Sequence, residues 1–227
     1  MRDSIDSFIE VLKWPVALVM VILFMPAFIT MMDFLYVHLT LRNALMFGMP
    51  FIAVCAIYIS IAHNTSSFLS VFEHELTHLV FGILTLHRPK SLNVQSHASG
   101  QVSFAGKGNW LIALAPYFFP LFPFLIILSS LVYMWMDQPL PMMFLPILGT
   151  VTGYHLCTNI ESFHAGQTDF KVAGYTFSVL FLPTANLLSY GFLFAYASLG
   201  WSGVPIFYQM LYANTINSIQ NVVQSFF

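Results

Sequence analysis

The chain has 227 residues, of which 58% are hydrophobic and 7% charged, with seven Lys and Arg against nine Asp and Glu and a formal net charge of −2. A water-soluble globule of this size needs a charged surface of mixed sign, which so few charges do not supply. A nucleic-acid binder would carry a basic patch, and two Cys do not make a disulfide framework.

The charges are spaced to leave long apolar windows. None falls between Lys13 and Asp33, Arg42 and Glu73, Lys107 and Asp137, or Asp137 and Glu161, and none follows Lys171. A helix crosses the hydrocarbon core with about 20 apolar residues, and a backbone in lipid must satisfy its own hydrogen bonds. The windows therefore predict six transmembrane helices, over about 14–34, 43–62, 67–86, 110–135, 141–162 and 171–198. The first is too long for a signal peptide and lacks a small-residue cleavage site, so it is expected to stay. Cys55 and Cys157 sit in apolar runs and read as small buried hydrophobes. Five cations follow the odd-numbered spans (Arg42, Arg88, Lys90, Lys107, Lys171), but Arg2 and Lys13 precede the first, so the positive-inside rule gives conflicting orientations.

After the third span, residues 87–109 alternate apolar and polar positions through Leu92 and Val94, then Val102 and Phe104, around a turn at His97-Ala98-Ser99-Gly100. This predicts a short β-hairpin at the membrane surface or dipping into the protein. Pro116, Pro120 and Pro123 crowd the start of the fourth span, so that stretch is irregular. Irregular backbone at membrane depth belongs against protein or a water-filled cavity. The tail 201–227 carries Tyr212, Ile216, Ile219, Val223 and Phe226 on one helical stripe and Asn214, Asn217, Asn221 and Gln224 on another, which reads as an interfacial amphipathic helix. The fold class is thus all-α: a single membrane-embedded domain, 1–227, built as a polytopic bundle of about six helices with a short β-hairpin-like insertion after the third.

Chemistry is sought where polarity is costly. The third span, FLSVFEHELTHLVFGILTL, carries Glu73, His74, Glu75, Thr77 and His78 in an otherwise apolar helix, and ionisable groups at that depth are functional by default. His74 and His78 are four apart, one turn on the same face, and can share one metal ion. Glu75 follows the first His and reaches a metal-bound water without taking a ligand position; this is the His-Glu-x-x-His pattern of zinc hydrolases. Glu73 lies on another azimuth and reads as a supporting group. A catalytic zinc normally takes three protein ligands and keeps one open position. The residues leave the third ligand open among Asp33, His38, His63, His87, His97, Asp137, His155, Glu161, His164 and Asp169. The densest cluster is residues 153–174, with His155, Asn159, Glu161, His164 and Asp169.

HELTH within a membrane helix resembles the site-2-protease-type intramembrane zinc metallopeptidases. A hairpin-like segment follows it, the next span opens with ALAPYFFP, similar to that family's small-residue–Gly–Pro element with Ala115 for the Gly, and Asn159 is followed downstream by Asp169. The resemblance covers roughly residues 63–190. It implies His74, His78 and Asp169 as ligands of one Zn2+, Glu75 as catalytic base, and Asn159 as a substrate-orienting amide. The family's Leu-Asp-Gly is Thr168-Asp169-Phe170 here and the intervening Pro is missing; His164 and His155 stand as rivals to Asp169.

The expected function is an intramembrane zinc endopeptidase that cleaves transmembrane protein substrates by zinc-activated water with Glu75 as general base. It would reside in the lipid bilayer as a multi-pass protein of a cell (inner) membrane and bind no nucleic acid. A substrate helix must unwind to expose its carbonyls, and the hairpin edge at Ser99 and Gly100 would bind it as an extended strand. The alternatives are a catalytically inactive membrane adaptor that keeps the motif, and a metal or solute transporter. A di-iron histidine-box enzyme would need clustered His that this chain scatters.

Overall fold

The computed structural model describes residues 2–62, 68–94, 100–164 and 166–225. The chain folds as a helical membrane bundle with one small antiparallel sheet. Its helices are α1 (Arg2–His38), α2 (Leu41–Asn43), α3 (Met49–Ile57), α4 (Phe68–Leu84), α5 (Trp110–Leu114), α6 (Leu121–Trp135), α7 (Phe144–Ser162), α8 (Thr168–Ala173), α9 (Tyr175–Leu199) and α10 (Gly203–Gln224). The strands are β1 (Pro89–Val94) and β2 (Gly100–Phe104).

Each of the six expected spans contains helix, but they are not equivalent. Asp3–His38, Leu41–Ser60 and Tyr175–Gln224 are long and apolar enough to cross a membrane. Trp110–Tyr117 and Leu121–Trp135 make a fourth if counted as one span bent by 84°. The expected third span is only the 17-residue α4, and the fifth, α7, is interrupted by the polar residues Thr152, His155, Thr158 and Asn159, all buried. The sixth opens at Tyr175 rather than 171, because the short α8 precedes it. Exposed Leu18, Ile22 and Met25 on α1 and Ile52 and Ile57 on α3 form the apolar outer surface that lipid would solvate.

The helices pack where small residues permit. Gly149 and Gly153 of α7 lie against the backbone of Phe47 and Phe51; a Cβ on Gly153 would come 2.6 Å from the Phe51 carbonyl oxygen. This is the small-xxx-small spacing that lets membrane helices approach. α9 runs beside α1, where Thr184 Oγ1 donates to Met20 O at 2.7 Å. α10 then folds back along α9, with Gly203 against Ala195 and Gly191 against the Phe207 ring. Phe207 and Leu211 of α10 are buried, and Asn214 Nδ2 donates to Thr30 Oγ1 of α1 at 3.0 Å.

The hairpin is present, with Leu92 opposite Val102 and Val94 opposite Gly100. Its expected turn at His97-Ala98-Ser99 lies outside the described residues. Between α5 and α6 the Pro-rich stretch forms a 3₁₀ turn, Ala115–Tyr117, and then a break. Pro120 has no N–H to continue the helix, and this break brings Tyr117 into the site described next.

Candidate metal centre

α4 presents His74 and His78 on one face, as the four-residue spacing requires. Their Nε2 atoms are 3.2 Å apart. Asp169, in the first turn of α8, brings Oδ2 to 3.4 Å from His74 Nε2 and 3.5 Å from His78 Nε2. A tetrahedron with centre-to-corner distances of about 2.0–2.1 Å, the zinc–nitrogen and zinc–oxygen range, has edges of about 3.3–3.4 Å. The three atoms therefore fit three corners of such a site, and the donor set of two imidazoles and a carboxylate suits zinc.

The surroundings hold these groups in the required state. His78 Nδ1 lies 2.8 Å from the Ile112 carbonyl and donates to it, which leaves Nε2 as the free lone pair. Tyr117 Oη donates to Asp169 Oδ2 at 2.9 Å.

Glu75 is buried at 8% exposure and accepts from the Val102 backbone N–H of β2. Gly100 lies directly over its side chain. Together with His74 and Gly100, Glu75 lines a cavity of about 450 Å³ whose polar wall continues through Ser70, Thr158, Glu161, Ser162, His164 and Gln167. The cluster thus opens onto polar space on the side where Glu75 stands. A second, apolar cavity of about 400 Å³ adjoins at His164 and is lined by Phe163, Phe170, Tyr175, Val179 and Leu182.

The remaining expected residues divide clearly. His155 is buried and its Nδ1 lies 3.0 Å from Glu73 Oε1; Glu73 also accepts from the Phe122 N–H at 3.0 Å. His164 pairs with Gln167 at 3.0 Å. Neither His belongs to the His74–His78–Asp169 group. Asn159 Nδ2 donates to the Tyr117 carbonyl at 3.1 Å. Ser99 lies outside the described residues, as do His63 and His97. Sequence reasoning missed Tyr117, which sits inside the ALAPYFFP element, and Asn186, which donates to the same Tyr117 carbonyl at 2.9 Å. A polar Asn in an apolar helix was the available signal for Asn186. Missed too was the Tyr58 hydroxyl, which donates to Glu161 at the cavity wall.

Residues 47–160 match the family model described as Peptidase M50B-like. The match takes in all of α4 and the hairpin and stops short of Asp169. No curated protein and no solved structure matches the chain.

Proposed function

The chain belongs to the peptidase M50B-like family, and from that premise we propose that it is a zinc-dependent endopeptidase acting on membrane-protein substrates within the bilayer. The reading rests on one observation. Three ligand-type atoms from α4 and α8 meet at 3.2–3.5 Å, next to a carboxylate, Glu75, on a polar cavity.

His74, His78 and Asp169 would hold the zinc. When bound, zinc would supply Lewis acidity, polarising the scissile carbonyl and acidifying water. Glu75 takes the proton of the attacking water at a carboxylate oxygen and returns it to the leaving amine nitrogen. Burial and the Val102 N–H fix that carboxylate against the cavity. β2 pairs with β1 along one edge; its other side, at Gly100, faces the cavity, where an unwound substrate segment would lie extended. We place the protein as a multi-pass component of a cell membrane, in one membrane-embedded domain.

The test is zinc content and cleavage measured together on the full chain in detergent. The wild type should bind one zinc and cleave a model transmembrane substrate. His74→Ala and His78→Ala should lose metal, and Glu75→Gln should keep metal and lose about 10²–10⁴ in rate. Full cleavage by Glu75→Gln overturns the peptidase reading. Metal uptake without cleavage points to an adaptor, and metal flux in liposomes to a transporter.

A further inference from the structure

Asp169 Oδ2 meets three groups among the described residues: the two candidate ligand imidazoles and the Tyr117 hydroxyl. Among the described residues, Tyr117 is therefore the one donor to Asp169 Oδ2 that is not itself a candidate ligand. Its ring is fully buried and is held on three sides, 5.2 Å from the His74 ring, 5.5 Å from Phe163 and 4.5 Å from Phe170 between centroids. The hydroxyl thus has a fixed position before any metal arrives.

What fixes the backbone of Tyr117 is equally specific. It ends the 3₁₀ turn where α5 breaks from α6, and no backbone donor reaches its carbonyl among the described residues. Buried carbonyls need partners. Two side-chain amides supply them: Asn159 Nδ2 from α7 at 3.1 Å and Asn186 Nδ2 from α9 at 2.9 Å. Asn186 is itself anchored by a bond to Leu182 O at 2.9 Å. Two helices thereby grip the backbone of one residue whose side chain grips α8.

We infer that Tyr117 is a positioning residue for the metal centre: its hydroxyl orients the Asp169 carboxylate, and Asn159 and Asn186 hold Tyr117 in register. This rests on Asp169 being a ligand, as proposed above. It also gives Asn159 a role that needs no contact with substrate. A carboxylate without its outside donor is free to rotate and meets the ion at an entropic disadvantage, and partners of this kind typically contribute about 10–100-fold in metal affinity.

Zinc affinity is measured by competition with a chromogenic chelator, and coordination by the Co2+ absorption spectrum, on the full chain in detergent. Tyr117→Phe should raise the zinc Kd about 10–100-fold and alter the Co2+ bands, with no more than the small drop in the melting temperature of the metal-free protein that one lost hydrogen bond brings. Asn186→Ala should raise Kd in the same direction, and the double variant should be no weaker than Tyr117→Phe alone, because both act through one hydroxyl. Wild-type Kd and spectrum in Tyr117→Phe overturn the inference. So does a lowered melting temperature with an unchanged spectrum, which marks a purely structural role. If His74→Ala loses metal while Tyr117→Phe binds normally, only this inference fails. A wild type that takes up no zinc or cobalt overturns both it and the function proposed above.

Discussion

Gly100 of β2 lies with its α-carbon against the side chain of Glu75 on α4: a Cβ there would stand 2.5 Å from Glu75 Cγ and 2.8 Å from Glu75 Oε1. The same Cβ would meet Val71 Cγ1 at 2.6 Å, so the pair of helix side chains leaves no room on either side. Gly100→Ala must push the carboxylate away from its bond to Val102. A displacement near 1 Å of a reacting group costs up to about 10² in rate. We predict that Gly100→Ala loses about 10²-fold in cleavage while its zinc content stays at the wild-type value. Cleavage at the wild-type rate would show that Glu75 is not positioned by the hairpin.

The identity of the third ligand gives a sharper test. Asp169 faces both imidazoles, whereas His155 is engaged by Glu73 and His164 by Gln167. Asp169→Ala should weaken zinc binding beyond the ~10–100-fold typical of outer-shell changes. His164→Ala should bind zinc like the wild type, since its ring is a cavity wall. Chelator competition on both variants decides this, and normal affinity in Asp169→Ala would reopen the ligand set.

The HELTH helix was legible because cost makes it so: five polar residues in an apolar run have few explanations, and a four-residue spacing fixes their common face. The hairpin was legible from alternation, and its register pairs the Leu92 and Val102 that the alternation marked. The number of full spans was not. α4 and α7 carry the polar residues of the site, and hydropathy windows do not distinguish a lipid-facing helix from one buried against protein. The Tyr117 hydroxyl was hidden for a different reason. Its partner, Asp169, lies 52 positions away in sequence, and only the 84° bend at the proline-rich break brings the two together.

Glu73 and His155 are 3% and 4% exposed, and Glu73 also accepts from the Phe122 N–H just past the break. Removing the Glu73 carboxylate leaves the His155 and Phe122 N–H groups buried without an acceptor, which costs about 1–3 kcal/mol for each. Glu73→Gln keeps an acceptor for both the His155 and Phe122 N–H groups, so its loss is that of one ordinary hydrogen bond, about 0.5–1.5 kcal/mol. We therefore expect Glu73→Ala to be the less stable variant by a wide margin in denaturant unfolding in detergent. Glu73→Gln should retain zinc. Equal destabilisation by the two substitutions would remove the hydrogen-bonding role assigned to Glu73.

The α3–α7 seam links packing to the site, because α7 carries Thr158 and Glu161 of the cavity wall five and eight positions beyond the Gly153 contact. Gly149 abuts the Phe47 backbone, and Gly153 abuts the Phe51 backbone as well as Val54 Cγ1 at 2.6 Å, so a side-chain rotamer change alone does not make room for an added methyl group. Overpacking of this kind costs about 1–3 kcal/mol. Gly48 is the internal control: it lies at the start of the same seam in ordinary helical conformation, and a Cβ there meets nothing within 4 Å. Gly48→Ala should be neutral or slightly stabilising, by up to about 1 kcal/mol, through helix propensity. Gly153→Ala should be destabilised and lose cleavage, because the helix that bears the cavity wall is pushed away from α3. Melting curves and cleavage rates of the two variants test the contrast; equal behaviour would mean that the seam is not closely packed in the membrane.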